Sequence, residues 1–288
     1  MNALLICPNE RNGVAALAEC VPLANVSFLG KSLVEYWLEH LAGLGAQEVL
    51  VLAADRPDQV RAGVGDGARW GLRVIVKPDK RERTLEEARA GHQANDDASW
   101  LPAPNDVILM DHLPCLPRLP LFTSYAHWFA AAQALMPLAL TPDRIGVREF
   151  KPGVWVGLNA YVAAGAKLIA PCWIGERAWI EAGAAIGPNA VLEREVFIAQ
   201  GAAVSHSVIG PETLVGQFTE IRNSIAWGST LVNWQRDSCV KVPDAFLLCS
   251  REPQPRRASP VPAKTPAPVH ALPPAMARLR EYVSQLLT

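Results

Sequence analysis

Residues that could take part in binding or catalysis lie at three places in the sequence. Arg11 and Gly13 follow an apolar run at the start of the chain, Asp111 follows a second apolar run, and His206 stands where a six-residue pattern is interrupted. Arginine binds anions, aspartate binds metal cations, and histidine can act as a general base. Because single residues are weak evidence for a site, the elements that would position them have to be considered first.

The first half of the sequence predicts alternating strands and helices. Ser32 and Glu35 have the spacing of a capping box at a helix start, and Gly45 suits the exit of the same helix. Alternation of this kind is typical of a doubly wound α/β sheet. We predict strands at 3–6, 48–53, 72–76 and 107–110, and helices at 33–44, 82–92 and 127–135, the last of which would cover the sheet or pack on a partner.

A six-residue period organises the second half. Residues 156–203 divide into eight hexads without a gap, and each hexad opens with an aliphatic residue. A helix does not explain a strict period of six, whereas short strands separated by tight turns do, with the aliphatic residue inward and each flat face a parallel sheet. The period slips at residues 204–208, where we predict a shorter turn or a protruding loop. The openers are Val156, Val162, Leu168, Ile174, Ile180, Ile186, Leu192 and Ile198.

This pattern resembles the hexapeptide repeat of left-handed β-helix proteins. That resemblance implies a left-handed parallel coil over residues 146–249. Many proteins with this repeat are acyltransferases that use a histidine as general base, which makes His206 a candidate catalytic residue. The alternative is a histidine in a surface loop, with the coil serving interaction and packing.

Three segments resemble the sugar-phosphate nucleotidyltransferases. Residues 29–39 are similar to their "GKPLLEYxLE" segment, residues 65–72 to "GDGSxWGV", and residues 221–227 to the "NSIIW" stretches of the guanylyltransferase branch. The resemblance covers residues 1–113 and 145–249. It implies a truncated nucleotidyltransferase-like parallel sheet domain followed by a left-handed parallel β-helix.

The loop after the first strand departs from that family. Active members carry "GGxGTRLxPLT" there, so that backbone N–H groups and an arginine can approach a triphosphate. Only Arg11 and Gly13 could take these nucleotide-binding roles in this chain, while Pro8 removes a donor and Glu10 adds negative charge. Leu23 falls where the resemblance places the phosphate-binding lysine. The resemblance therefore predicts a degenerate catalytic loop.

The same resemblance makes Asp111 a candidate metal ligand. In the family a strand ends in Gly-Asp and the aspartate binds Mg²⁺, and here Met110 replaces the glycine. One carboxylate alone binds Mg²⁺ weakly, so Asp111 is either a remnant or one ligand of a site completed by substrate phosphates. Only about 35 residues separate Asp111 from the repeat, which leaves no room for the sugar-binding half of the family's domain.

Composition excludes several partners. The 27 basic and 28 acidic residues give a net charge of −1 and no field that would attract nucleic acid. There is no signal peptide pattern and no apolar run long enough to span a bilayer, so the prediction is a cytoplasmic protein. The six cysteines are scattered without zinc spacing, and we predict that they are reduced and mostly buried.

Four segments are predicted in all. Pro and basic residues crowd the stretch before residue 274, which is typical of a solvated linker, and a helical apolar pattern ends the chain. The segments are a degenerate nucleotidyltransferase-like α/β domain at 1–145, the β-helix at 146–249, the proline-rich linker at 250–274 and a C-terminal helix at 275–288.

Three functions follow from these residues. The first is a nucleotidyltransferase-like protein of nucleotide-sugar or polysaccharide metabolism that has lost catalysis and acts as a binding, regulatory or scaffold component. It would form a homo-oligomer through the β-helix or terminal helix and could meet a polysaccharide-biosynthesis protein. The second is an active nucleotidyltransferase that uses Arg11, Asp111 and Mg²⁺ to make an NDP-sugar. The third is an acyltransferase that uses His206.

Overall fold

The computed structural model of the chain describes residues 2–92, 107–139 and 146–251. The predicted linker at 250–274, apart from its first two residues, and the predicted helix at 275–288 lie outside the described residues. Within the described part, no helix has the length and apolar character needed to cross a membrane. All six cysteines lie in this part and none forms a disulfide, but only two are buried, so the prediction that most are buried was wrong. The two buried cysteines are Cys7 and Cys172.

Residues 2–139 alternate strands with helices, as the apolar pattern predicts. Short 3₁₀ turns join some of these elements. The elements are β1 (Asn2–Ile6), α1 (Ala15–Cys20), β2 (Ser27–Phe28), β3 (Lys31–Ser32), α2 (Leu33–Gly43), β4 (Glu48–Ala53), α3 (Pro57–Val64), β5 (Arg73–Pro78), α4 (Leu85–His92), β6 (Val107–Leu109) and α5 (Tyr125–Leu135).

Four of these strands form one parallel sheet in the order β5-β4-β1-β6. The chain moves outward from β1 to β4 and β5, and then returns to the other side of β1 to form β6. In open parallel sheets this reversal of direction creates a crevice at the carboxyl ends of the strands, where ligands bind. The loops after β1 and β6 therefore meet at the reversal point.

Helix α2 shows how closely local sequence determines the N-terminal segment. The hydroxyl of Ser32 accepts a hydrogen bond from the backbone N–H of Glu35, and the Glu35 side chain accepts one from the backbone of Ser32. This is the capping box that the sequence predicts. Gly45, just beyond the helix, has φ of 84°, a conformation that favours glycine.

Residues 146–251 consist of short strands. They are β7 (Arg148–Lys151), β8 (Val154–Val156), β9 (Tyr161–Val162), β10 (Lys167–Leu168), β11 (Cys172–Ile174), β12 (Trp179–Ile180), β13 (Ala185–Ile186), β14 (Ala190–Leu192), β15 (Phe197–Ile198), β16 (Ala203–Ser205), β17 (Val208–Ile209), β18 (Thr213–Val215), β19 (Glu220–Arg222), β20 (Ser224–Trp227), β21 (Thr230–Asn233), β22 (Ser238–Lys241) and β23 (Leu248–Ser250).

Strands β8 to β20, which we call the repeat region, visit three parallel sheets in turn, so that each strand pairs with the third strand after it. Paired residues are 18 positions apart in the first turns, as between Val154 and Cys172. The separation falls to 17 between Val191 and Val208, because the turn at the predicted slip is one residue shorter. Antiparallel strands β7 and β21 to β23 flank the parallel ones.

The two faces of the largest of these sheets bury different cores. Neighbouring residues of a strand point to opposite faces. Ile174 and Leu192 lie in an apolar cluster formed by the repeat region and its flanking strands. Their neighbours on the other face are buried in one cluster with β1 and α2. These outward residues, paired in sequence across five strands, are Trp155, Trp173, Val191, Val208 and Ile225.

Helix α5 contributes to the core that β1 and α2 share with the repeat region. Its Trp128 is fully buried, and the ring lies 5.2 Å from that of Phe28 between centroids. Phe129, on the next position, stacks on Trp234 at 4.4 Å. The helix therefore packs within its own chain, against β2 through Trp128 and against the turn between β21 and β22 through Phe129.

Candidate functional site

Three charged side chains follow three strands of the N-terminal sheet at its carboxyl edge. Arg11 lies in the loop after β1, Glu82 in the segment after β5, and Asp111 just after β6. Arg11 and Asp111 flank the reversal point of the sheet. The pKa of Arg11 is raised mainly by its hydrogen bond to Glu82, and the nearby negative charge of Asp111 raises it as well. The structure thus brings together two of the residues that the sequence singled out.

Arg11 is held by Glu82 in a two-pronged contact. Nη2 of Arg11 lies 2.5 Å from Oε1 of Glu82, and Nη1 lies 2.8 Å from Oε2. The backbone N–H of Asn9 donates a third hydrogen bond to Oε2, at 2.8 Å. Both oxygens of the carboxylate are therefore satisfied by the loop after β1, in the parallel geometry that makes such pairs strong.

The pKa values reflect this pairing. The hydrogen bonds that Arg11 donates to Glu82 raise the pKa of Arg11 above its ordinary value. Burial alone would raise the pKa of Glu82, but the hydrogen bonds from Arg11 and from the Asn9 N–H outweigh burial and hold that pKa below its ordinary value. Both groups are therefore charged at neutral pH.

Asp111 has a different partner. Its Oδ1 lies 2.6 Å from Nδ1 of His112, and this hydrogen bond, together with the nearby positive charge of Arg11, lowers the pKa of Asp111. The backbone carbonyl of His112 accepts a hydrogen bond of 3.0 Å from the indole of Trp37, whose ring meets the imidazole edge-on. The imidazole is therefore fixed by α2 on one side and by the carboxylate on the other.

A cleft of about 430 Å³ opens beside these groups. Asp111, His112 and Arg118 supply its charged and polar wall, and Trp37 and Leu85 supply part of its apolar wall. The cleft therefore combines apolar and charged walls, as ligand-binding clefts commonly do.

The described side chains do not form a Mg²⁺ site. Within residues 2–92, 107–139 and 146–251, no group of three or more His, Cys, Asp or Glu side chains could hold a metal ion. The carboxylate of Asp111, the residue that the resemblance proposes as metal ligand, is hydrogen-bonded to His112.

Gly13 packs closely against another part of the chain. A Cβ atom added at this position would lie 2.1 Å from the carbonyl oxygen of Thr123 and 2.6 Å from its carbon. The close approach that a glycine permits is therefore used here by the backbone that precedes α5. The resemblance to the nucleotidyltransferases assigns that approach to a nucleotide instead.

The start of helix α1 is also occupied from within. The backbone N–H of Ala16 donates a hydrogen bond of 2.8 Å to the phenol oxygen of Tyr125, and this contact is buried. Unpaired N–H groups at the start of a helix are what an anion would bind. The first residue of α5 thus satisfies one of these donors.

Leu23 is fully buried in the core that also contains β1 and α2. This is the position at which the resemblance places a phosphate-binding lysine. A charged side chain there would have to enter an apolar environment at a high free-energy cost.

His206 lies apart from these residues, at a corner of the repeat region. It adopts a left-handed backbone conformation with φ of 49°, as do the equivalent corner residues Asn189 and Asn223. Its N–H donates to the carbonyl of Pro188, and its own carbonyl accepts from the indole of Trp234 at 2.9 Å. These backbone contacts give the residue a structural role at the shortened turn.

One family model matches the chain. It is the GMPPB C-terminal domain, the C-terminal domain of the mannose-1-phosphate guanylyltransferase beta subunit, and it matches residues 168–242. This match supports a sugar-phosphate nucleotidyltransferase-like family. It covers about a quarter of the chain, from β10 to β22, and includes His206 but neither Arg11 nor Asp111.

Sequence reasoning missed Glu82, His112 and Tyr125. Glu82 and His112 could have been found, because both follow predicted strands whose carboxyl ends share one edge of the sheet. Tyr125 gave no comparable signal, since its contact with Ala16 joins residues 109 positions apart.

Proposed function

We propose that this chain is a nucleotidyltransferase-like protein of nucleotide-sugar or polysaccharide metabolism that does not transfer nucleotides and acts as a binding, regulatory or scaffold component. The family match supports the nucleotidyltransferase-like part of this proposal. The contacts around the loop after β1 support the loss of transfer.

The observation that carries the proposal is the contact between Gly13 and Thr123. The backbone of Thr123 occupies the space that a bare glycine leaves open. Tyr125 accepts a hydrogen bond from the N–H of Ala16. Glu82 accepts hydrogen bonds from the guanidinium of Arg11 and from the N–H of Asn9. A triphosphate would need the donors of this loop, and three parts of the same chain already engage them.

Electrostatics point the same way. Phosphoryl-type transfer depends on lysine, arginine and Mg²⁺ to stabilise negative charge in the transition state. Here Leu23 replaces the lysine that the resemblance implies, and Arg11 is neutralised by Glu82. Loss of even one such donor typically costs about 10²–10³ in rate.

The repeat region would serve assembly, and we propose that it is a left-handed β-helix. Tyr161 and Trp179 are paired across neighbouring strands and are 46% and 44% exposed, with their rings stacked at 4.2 Å. Exposed apolar rows of this kind mark interaction surfaces. We propose a second copy of this chain as the occupant, because the adjoining corner carries both charges, as in the pair Arg194–Glu212, and so can complement itself.

Ligand titration tests whether the loop after β1 still forms a triphosphate site. Each nucleoside triphosphate is added with Mg²⁺ to the full chain, and the thermal midpoint is followed. A ligand at 100 times its Kd would add about 2.7 kcal/mol of stability, so a true substrate would produce a clear shift. We expect little or no shift. A saturable shift with one triphosphate would support the alternative of an active nucleotidyltransferase.

The assembly part needs its own measurement. Light scattering gives the molar mass of the wild type and of Trp179→Glu. We expect a mass above that of one chain for the wild type and a smaller mass for the variant, because the added charge would be buried at the interface. Equal masses would exclude the proposed face.

A further inference from the structure

We infer that the first turn of the repeat region, together with β7, forms a binding site for a small amphiphilic anion, an aliphatic chain that ends in a carboxylate or a phosphate. The site is a cavity of about 520 Å³. Its lining residues all lie between Arg148 and Leu168, so it shares no residue with the loop after β1. The inference therefore does not rest on the proposed function.

The apolar part of the cavity is the end of the core of the repeat region. Among the described residues, β9 and β10 are the first strands of their sheets, so no earlier turn covers them. Val156 and Leu168 are buried in this core, and Val162 packs against it while remaining partly exposed. All three line the cavity. An aliphatic chain bound there would cover the apolar surface that a further turn of the repeat would otherwise cover.

A β-bulge brings two positive charges to the same cavity. In a regular strand Arg148 and Lys151 would point to opposite faces, because they are three positions apart. Strand β7 is irregular between Glu149 and Lys151, so that Arg148 lies opposite Val156 and Lys151 opposite Val154. Both valines face the core of the repeat region, and both cations line the cavity. Bulges often redirect a side chain in this way beside a functional site.

The acidic residue of β7 points away from the cavity. Glu149 lies opposite Trp155, which faces the other core, and its carboxylate accepts a hydrogen bond from a backbone N–H in the turn between β7 and β8. Arg148 has no carboxylate partner in the described part of the chain. The ammonium of Lys151 donates one of its three N–H groups to a backbone carbonyl at 2.5 Å. The cavity therefore has positive charge that an anionic head group would complement.

The size and lining of the cavity favour an amphiphile over a sugar. Its volume lies in the range of small-molecule sites. A sugar needs hydrogen-bonding partners around its ring, but only three of the twelve lining residues carry a polar side-chain atom, namely Arg148, Lys151 and Tyr161. Two of these three are the cations, so the polar contacts suit one charged head group.

Calorimetry of the full chain tests the site. Acetate, hexanoate and decanoate, kept below micelle-forming concentrations, test the apolar part, because each added CH₂ should tighten binding about fourfold. Decyl phosphate tests the second head group, and decyltrimethylammonium reverses the charge. The titrations are repeated with Arg148→Met and Lys151→Met. Lys167→Met is the matched control, because Lys167 lies in β10 beside the cavity lining but does not line the cavity itself.

We expect decanoate and decyl phosphate to bind at a single site per chain, hexanoate to bind more weakly, and acetate not to bind measurably. Arg148→Met and Lys151→Met should each weaken decanoate binding about tenfold, and Lys167→Met should leave it unchanged. Equal affinity for decanoate and decyltrimethylammonium would overturn the inference, as would unchanged decanoate binding in both cavity variants or no saturable binding by the wild type. Sedimentation with phosphatidylglycerol vesicles that requires Arg148 would also overturn it, since the cations would then serve a lipid surface and not a free ligand.

Discussion

Glu193 directly follows β14. Its carboxylate accepts a hydrogen bond of 2.6 Å from the hydroxyl of Ser27, 166 residues earlier in the chain. The same carboxylate accepts from the backbone N–H groups of Leu29 and Gly30 at 2.7 and 2.8 Å. Glu193 is fully buried. A buried carboxyl group in the repeat region is therefore hydrogen-bonded by β2 and by the turn between β2 and β3.

Replacement of Glu193 by Ala should destabilise the protein strongly. The substitution removes this acceptor from the buried donors of Ser27 and Leu29 and from the part-buried N–H of Gly30. Each buried loss costs about 1–3 kcal/mol. We expect the free energy of unfolding, measured in urea, to fall by at least about 3 kcal/mol. Glu193→Gln keeps one acceptor oxygen and should lose less.

Glu212 provides the control for this prediction. It pairs with Arg194 on the surface of the repeat region, where exposed pairs contribute about 1 kcal/mol or less. Glu212→Ala should therefore cost far less than Glu193→Ala. Similar losses for the two variants would show that the contact with Ser27 does not stabilise the fold.

Two tryptophans six positions apart should respond very differently to truncation. Trp173 is 2% exposed and faces the core shared with the N-terminal segment, whereas Trp179 is 44% exposed. Trp173→Ala should cost about 3–5 kcal/mol of unfolding free energy because it leaves a large cavity. Trp179→Ala should cost about 1 kcal/mol or less. The shared core would be in doubt if both variants unfolded at the same urea concentration.

Gly13→Ala should destabilise the protein through its contact with Thr123. The new Cβ would overlap the Thr123 carbonyl, and overpacking of this kind costs about 1–3 kcal/mol. Gly43, near the end of α2, has no heavy atom within 4 Å of an added Cβ, so Gly43→Ala should be neutral or stabilising by up to about 1 kcal/mol. A tolerated Gly13→Ala, measured by the urea midpoint, would mean that the loop after β1 is open.

Acid should weaken the fold through Glu82 and Asp111. Both have a pKa in the folded state below their ordinary values of 4.5 and 3.8. A carboxyl group of this kind stabilises the fold at pH values above its unfolded pKa, and that contribution is lost as the pH falls through its folded pKa. The unfolding free energy should therefore fall below about pH 4.5, and less steeply for Glu82→Gln. An identical slope for this variant would show that the pairing with Arg11 is absent in solution.

Local patterns in the sequence were enough to predict much of the fold. The apolar run at 48–53 is strand β4, and the capping box at Ser32 starts α2 as predicted. The aliphatic residues at six-residue spacing fill the core of the repeat region, with Ile174 and Ile186 fully buried. Each of these features depends on residues close together in the chain, so the sequence alone contains the signal.

The contacts that define the candidate site could not be predicted in the same way. The pair Arg11–Glu82 joins residues 71 positions apart, and Glu193 meets Ser27 across 166. Which charged side chains meet depends on the order of strands in the sheet and on the packing of the repeat region against it. A charged residue between two elements has no local pattern that names its partner.

Pyrophosphate release is the most direct test of whether the loop after β1 can still support transfer. Purified full-length protein is given each nucleoside triphosphate with a panel of sugar 1-phosphates and Mg²⁺, beside an active pyrophosphorylase as positive control. With Arg11 held by Glu82 and Gly13 covered by Thr123, release should not exceed that of the reaction without protein. Release that depends on protein concentration and disappears in Arg11→Met would contradict the loss of catalysis.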